Sequence, residues 1–360
     1  MLHERIPLLP STIGTQREVV RLTYGPQGAD MKVYLQASLH ADETPAMLTA
    51  HVLRDLLQSL EDAGKLAATI TLVPVANPIG LSQHVLGQFF GCFDLNSAAN
   101  FNRGVARPKD VCARLEGRLR DDVVSNRRAI KDAMRALLDA SPPATEFDSL
   151  RSTLLKMSCD ADIVLDIHCS LEAVVHLYTD VEAWPRVESL ARHLRSRAQM
   201  LFVGADLGLF IDWVRLAWAD VRAHVGDRYP IGEGAVTAII ECAGERDVSY
   251  ESARQQAQAI IAYLVERGAI RDTPSTPDAL LHPATPQAAS EHFYAASSGI
   301  VVYRARIGDV VEIGDAICDI VDPITGGTVT LRSGTKGVFY MRRAIRFITA
   351  GAEIGRVTGG

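Results

Sequence analysis

The stretch MKVYLQASLHADETPAMLTAHVLRDLLQSLED, residues 31–62, changes its hydrophobic period half-way along. Residues 31–39 form a continuous apolar run of strand length. From Thr44 onward the apolar residues recur at helical spacing. Thr44 or Asp42 can serve as N-cap, and Pro45 takes a first-turn position. A buried strand that passes straight into a helix is the mark of an α/β core. His40 and Glu43 fall in the turn between the two.

The pattern repeats outward from there. Residues 67–78 predict a second strand, 112–140 and 147–159 helices, 162–170 a buried strand and 172–179 the next. Helices are expected at 184–199 and 210–225, a strand at 234–244 and a last helix at 250–268. Trp213 and Trp218 fall on the core face of the 210–225 helix. The expected fold is therefore α/β, with a mostly parallel or mixed central sheet flanked by helices. The texture changes after Gly268. RDTPSTPDALLHPATPQAAS, residues 271–290, reads as a linker. Short β-type runs punctuated by glycine follow it. The predicted organisation is a catalytic unit over 1–270, a linker over 271–290 and a small all-β unit over 291–360.

The chain has 360 residues, a net charge of −6 and no long basic block, which speaks against nucleic acid or an anionic membrane as partner. No apolar run approaches membrane-spanning length and no secretory leader is evident, so a cytoplasmic location is expected. The six cysteines have no CxxC spacing and are expected to be small buried apolar residues.

In open α/β sheets, sites collect at the carboxyl ends of strands, where His40 sits. Imidazole nitrogen and carboxylate oxygen together suit a borderline metal such as zinc. Alone, the pair reads equally as a surface histidine and a first-turn glutamate favoured by the helix dipole. A second histidine, His168, ends the apolar strand ADIVLDIHCS, with Asp166 two residues before it on the same face. Two histidines and one carboxylate leave one corner of a tetrahedral zinc open, as in a catalytic site. Glu241 ends a third apolar strand, where a carboxylate is costly without a task or partner. Asn102 and Arg103 follow in a loop of small residues, and arginine presents a fork suited to a carboxylate.

The ordered pieces SLHADETPA, PVANPIG, NFNRG, DIHCS and TAIIECAG resemble the zinc carboxypeptidase superfamily, and within it the succinylglutamate desuccinylase/aspartoacylase family. The resemblance implies one zinc ion per chain, held by His40, Glu43 and His168, with Glu241 as general base. It implies Asn102 and Arg103 as the clamp for a substrate carboxylate. The implied activity is zinc-dependent hydrolysis of the amide bond of an N-acyl amino acid or related small carboxylate, a small-molecule partner; a homo-oligomer is left open. The alternatives are a metallocarboxypeptidase acting on peptide C-termini and a non-catalytic binding protein on the same fold. The family's further arginine, upstream of the N-R pair, has no counterpart between Pro78 and Asn102; Gln83, His84 or Gln88 could donate to the oxyanion instead, His84 first among them. The C-terminal unit resembles a biotinyl/lipoyl-type barrel-sandwich. Its expected attachment turn, VDPITGG, has no lysine, and Lys336 lies in a later turn.

Overall fold

The computed structural model describes residues 1–359. The chain opens with β1 (Leu2–Pro7) and β2 (Glu18–Tyr24), then β3 (Lys32–Ala37), α1 (Thr44–Asp62) and β4 (Thr69–Val73). A short helix α2 (Pro78–Leu81) and a small hairpin of β5 (His84–Val85) and β6 (Gln88–Phe89) come next. Helices α3 (Val123–Asp139) and α4 (Glu146–Ser158) lead to β7 (Ile163–Ser170), β8 (Glu172–Ala173) and β9 (Val175–Asp180). The sequence continues through α5 (Trp184–His193), β10 (Ala198–Phe202), α6 (Phe210–Val225), β11 (Val236–Gly244), α7 (Tyr250–Glu266) and β12 (Thr285–Pro286).

Nine strands form one sheet in the order β1-β2-β4-β3-β7-β11-β9-β10-β12. The centre, β4-β3-β7-β11, is parallel; β1 and β2 add antiparallel at one edge, and β9 runs antiparallel to β11. Helices α1, α5 and α7 pack on one face, and α3, α4 and α6 on the other. The mixed α/β expectation is met. Trp213 and Trp218 are both buried in the core beneath α6.

Three elements differ from the sequence pattern. The helix expected over 112–140 is interrupted: Gly117 takes φ +69°, and α3 restarts where the Asp122 carboxylate accepts from the Ser125 N–H. The helix expected over 184–199 stops at His193. Arg195 adopts φ 52°, and residues 198–202 become a sheet strand because their apolar side chains are needed in the core. Within 271–290, Thr285–Pro286 pairs with β10 at the sheet edge, so this segment is not wholly irregular.

Residues 291–357 carry β13 (Glu291–Tyr294), β14 (Gly299–Tyr303), β15 (Val310–Val311), β16 (Ala316–Val321), β17 (Thr328–Arg332), β18 (Gly337–Arg342), β19 (Phe347–Ile348) and β20 (Glu353–Val357). They form two antiparallel sheets around a core that includes Phe293, Ile317, Ile320, Phe339 and Ile354. The β16–β17 turn is tied by Asp322 and holds no lysine; Lys336 instead pairs with Glu312 at 2.6 Å. Strand β18 pairs with β8, next to the end of β7, and Arg342 and Arg346 both bind Glu172 there. Among the described residues, no helix is long and apolar enough to cross a membrane.

Candidate metal centre

Side chains alternate along a strand, and this period of two sorts the polar residues of β3, β7 and β11. On β7, Ile163, Leu165, Ile167 and Cys169 enter the core under α1, α5 and α7. Val164 faces the opposite layer, and Asp166 and His168 share its side. Gln36 on β3 is in register with Asp166, and Glu241 on β11 is in register with His168. Four polar residues therefore meet on one face at the carboxyl end of the parallel centre. Two strand ends beside them carry left-handed backbone at non-glycine residues, Ser38 with φ 60° and Ala243 with φ 67°.

Glu43 stands at the start of α1, yet its side chain makes no capping bond. The carboxylate instead lies between the two imidazoles. Oε1 is 2.8 Å from His40 Nδ1, and Oε2 is 2.8 Å from His168 Nδ1. The Cys169 N–H also donates to Oε2, at 3.0 Å. The structure thus brings His40, Glu43 and His168 together, 125 residues apart in sequence as Glu43 and His168 are.

The outer nitrogens have partners of their own. Asn100 Oδ1 accepts from the Asn102 N–H at 2.8 Å and lies 3.0 Å from His40 Nε2. With the proton on His40 Nε2 facing this acceptor, a neutral ring would turn the Nδ1 lone pair toward Glu43. His168 Nε2 lies 3.0 Å from Asp166 Oδ2, whose other oxygen accepts from Gln36 Nε2 at 2.9 Å; Gln36 in turn accepts from the Tyr34 hydroxyl at 2.7 Å. Lone pairs facing a carboxylate at 2.8 Å repel unless a positive charge joins them. Protons on the rings would do this, and one divalent cation would do it equally. The donor set, two imidazole nitrogens and a carboxylate, fits zinc.

The charges respond accordingly. Burial by itself would lower the His40 and His168 pKa, but the carboxylates of Glu43 and, for His168, Asp166 outweigh it and both are raised. Burial would raise Glu43, but the two imidazoles pull it below the usual carboxylate range. Glu241 has no such partner. Its Oε2 is sealed from solvent with no hydrogen bond, and burial, with the nearby Glu43 charge, pushes the group up to about 7.

The remaining expected residues stand further out. Asn102 is buried and committed on both amide atoms: Oδ1 accepts from the Phe210 N–H at 2.8 Å, and Nδ2 is 3.4 Å from His168 Nε2. Arg103 is exposed, with Nη1 donating to the Asn102 carbonyl at 2.7 Å. His84 is not brought into the cluster; it is exposed on the β5–β6 hairpin and stacks on Phe89 at 4.5 Å. Besides Asn100, the residue of that segment that reaches the site is Cys92, whose sulfur lies within 4.8 Å of a ligating atom of His40 and of Glu43. Sequence reasoning took it for a small apolar residue, since an isolated cysteine has no spacing signal. Gln36 and Tyr34 were missed too, because a polar residue inside an apolar strand run leaves no motif.

Residues 29–204 match the sequence model of the succinylglutamate desuccinylase/aspartoacylase catalytic domain. No curated protein matches the chain. Among solved structures, a succinylglutamate desuccinylase/aspartoacylase family protein from Shewanella amazonensis is similar at TM-score 0.87 and 23% identity, covering 99% of this chain and 98% of its own. One from Shewanella frigidimarina is similar at TM-score 0.88 and 20% identity, over 100% and 97%. The product-bound ectoine utilization protein from Ruegeria pomeroyi is similar at TM-score 0.67 and 16% identity, over 99% and 94%. At these identities the likeness to each structure is one of fold.

Proposed function

Because the chain belongs to the succinylglutamate desuccinylase/aspartoacylase family of metal-dependent deacylases, we propose that it is a zinc-dependent amidohydrolase that releases the acyl group of an N-acyl amino acid or related small carboxylate. The observation that carries the reading is the Glu43 carboxylate held 2.8 Å from two imidazole Nδ1 atoms, on the sheet face that also holds the unpartnered Glu241.

In the proposal His40, Glu43 and His168 hold one zinc ion. When bound, the ion polarises the scissile carbonyl and acidifies water. Glu241 takes the water proton and passes it to the leaving amine, so the amide becomes a free carboxylate and an amine. Asn100 bonds the outer nitrogen of His40, and the Asp166 carboxylate lies beside that of His168, which together constrain each ring's aim. Arg103 and Asn102 form the clamp for the substrate carboxylate: the exposed guanidinium of Arg103 supplies the charge, and Asn102 holds the loop through the Phe210 N–H. His84 donates to the oxyanion, which requires the β5–β6 hairpin to close over the site. Residues 291–360 are a separate unit that borders the mouth, and its contacts through Arg342 and Arg346 with Glu172 support that.

The test is metal analysis of the purified protein, joined to a panel of N-acetyl, N-succinyl and N-formyl amino acids scored for amine release. About one zinc per chain, lost in His40→Ala, with turnover of at least one panel member, is expected. Zinc content near zero and unchanged by His40→Ala would sink the proposal.

A further inference from the structure

The chemistry above leaves Cys92 without a task, although it stands in the site. Its position is built. The Ala41 N–H donates to the Gly91 carbonyl at 3.1 Å, and the Gly91 N–H donates to Asp42 Oδ2 at 3.2 Å. Segment 91–92 is therefore stitched to the turn that carries His40 and Glu43. A Cβ at residue 91 would sit 2.0 Å from the Asp42 nitrogen, so the approach needs glycine there. Held this way, the Cys92 thiol donates to Asp42 Oδ1 at 3.3 Å, and its sulfur is within 4.8 Å of a donor atom on each of His40 and Glu43.

We propose that Cys92 is a further ligand of this cation, its thiolate coordinating beside His40 and Glu43. The inference rests on the metal reading of the site given above. The balance is simple: a sulfur lone pair forms the bond to the cation, and the thiol proton leaves to Asp42 Oδ1, which already accepts it, and from there to solvent. No oxidant is needed. Beside this group, on the same sheet face, Glu241 Oε2 is sealed from solvent and has no hydrogen-bond partner among the described residues. A soft sulfur donor added to nitrogen and oxygen makes the site prefer zinc, cobalt or cadmium over magnesium or calcium.

The experiment loads the full chain with cobalt(II). Wild type should show an intense near-ultraviolet thiolate-to-cobalt absorption that is absent in Cys92→Ser and kept in Cys112→Ser. In zinc-loaded wild type, alkylation of Cys92, read on its peptide by mass spectrometry, should be roughly tenfold or more slower than after chelation. Cobalt bound with identical spectra in wild type and Cys92→Ser removes Cys92 from the coordination sphere and leaves the metal reading standing. Wild type that retains no more cobalt than His40→Ala overturns both. Should Cys92→Ser fail to fold, the alkylation rates of wild type still decide, and equal rates with and without metal overturn the proposal.

Discussion

Replacing Glu241 by glutamine should have opposite effects on activity and stability. A general base that is removed costs roughly two to four orders of magnitude in kcat. The same carboxylate weakens the metal-free fold, because burial and the Glu43 charge raise it from 4.5 to about 7. The sign follows from linkage. An acid whose folded pKa lies above its unfolded one costs nothing below about pH 4.5, and the cost grows between the two values and levels off above pH 7. At about 1.4 kcal/mol per pH unit the full cost is about 3 kcal/mol. Glutamine has no such titration, although its amide protons also need partners. The pH-dependent part of the comparison is therefore the clean one. Urea unfolding of the metal-free proteins should show the stability difference moving in favour of Glu241→Gln by about 3 kcal/mol between pH 4.5 and pH 8. A divalent cation beside Glu241 favours its charged form, so the gain should shrink when zinc is present. A difference that does not change with pH would refute the claim that Glu241 is held desolvated and unpaired. Full turnover in the variant would remove it from the mechanism.

Three further outcomes are expected. Zinc binding to the stripped protein should release protons, because the Glu43 carboxylate raises the pKa of both imidazoles and a cation displaces what they hold; calorimetry in buffers of different ionisation enthalpy measures this, and His168→Ala should lower the count. Arg103→Ala should raise KM for carboxylate-bearing substrates by roughly 10- to 100-fold, the range of one charged hydrogen bond, and leave kcat nearly unchanged; an unaltered KM would take Arg103 out of recognition. His84→Ala should lower kcat by roughly 100-fold if the hairpin closes to give an oxyanion donor; wild-type kcat would show that the hairpin plays no such part.

Much of the architecture could be read from residues 31–62 and their echoes, because a switch from continuous apolar character to helical period is strong when the strand is buried on both faces. Strand β7 was legible for that reason, and so were His168 and Asp166, whose spacing of two put them on one side. The N-terminal pair β1 and β2 was not. Edge strands have one exposed side and a mixed composition, and β1 keeps no side chain fully buried. The end of α5 was hidden because the segment from Leu194 to Gln199 is as apolar and as basic as the helix before it; only the left-handed Arg195 separates them. The three residues proposed as ligands were legible through their order along the chain. The supports around them were not, since Asn100, Gln36 and Tyr34 act through register between strands and through a loop that passes the site, and sequence distance says nothing about either.

The charge balance of the site ties these pieces together. Glu43, Asp166 and Glu241 lie on one sheet face, and burial together with Asp42 and Glu43 pushes Glu245 at the rim up to about 7 as well. Against these carboxylates stand two imidazoles, and the exposed Arg103 is turned to the Asn102 carbonyl and not to the acids. So many negative groups around two neutral rings cannot all remain ionised in a partly desolvated place. Without a cation this crowding favours proton uptake by the rings and pushes Glu241 and Glu245 up to about 7. A divalent cation relieves it in the other direction, leaving the rings neutral and Glu241 ionised, which is the form a general base needs. The excess of acid is therefore not incidental to the ligand set. On the proposed reading it would favour cation uptake and make the protonation state of Glu241 depend on that uptake, so that ligation and proton transfer would rise and fall together.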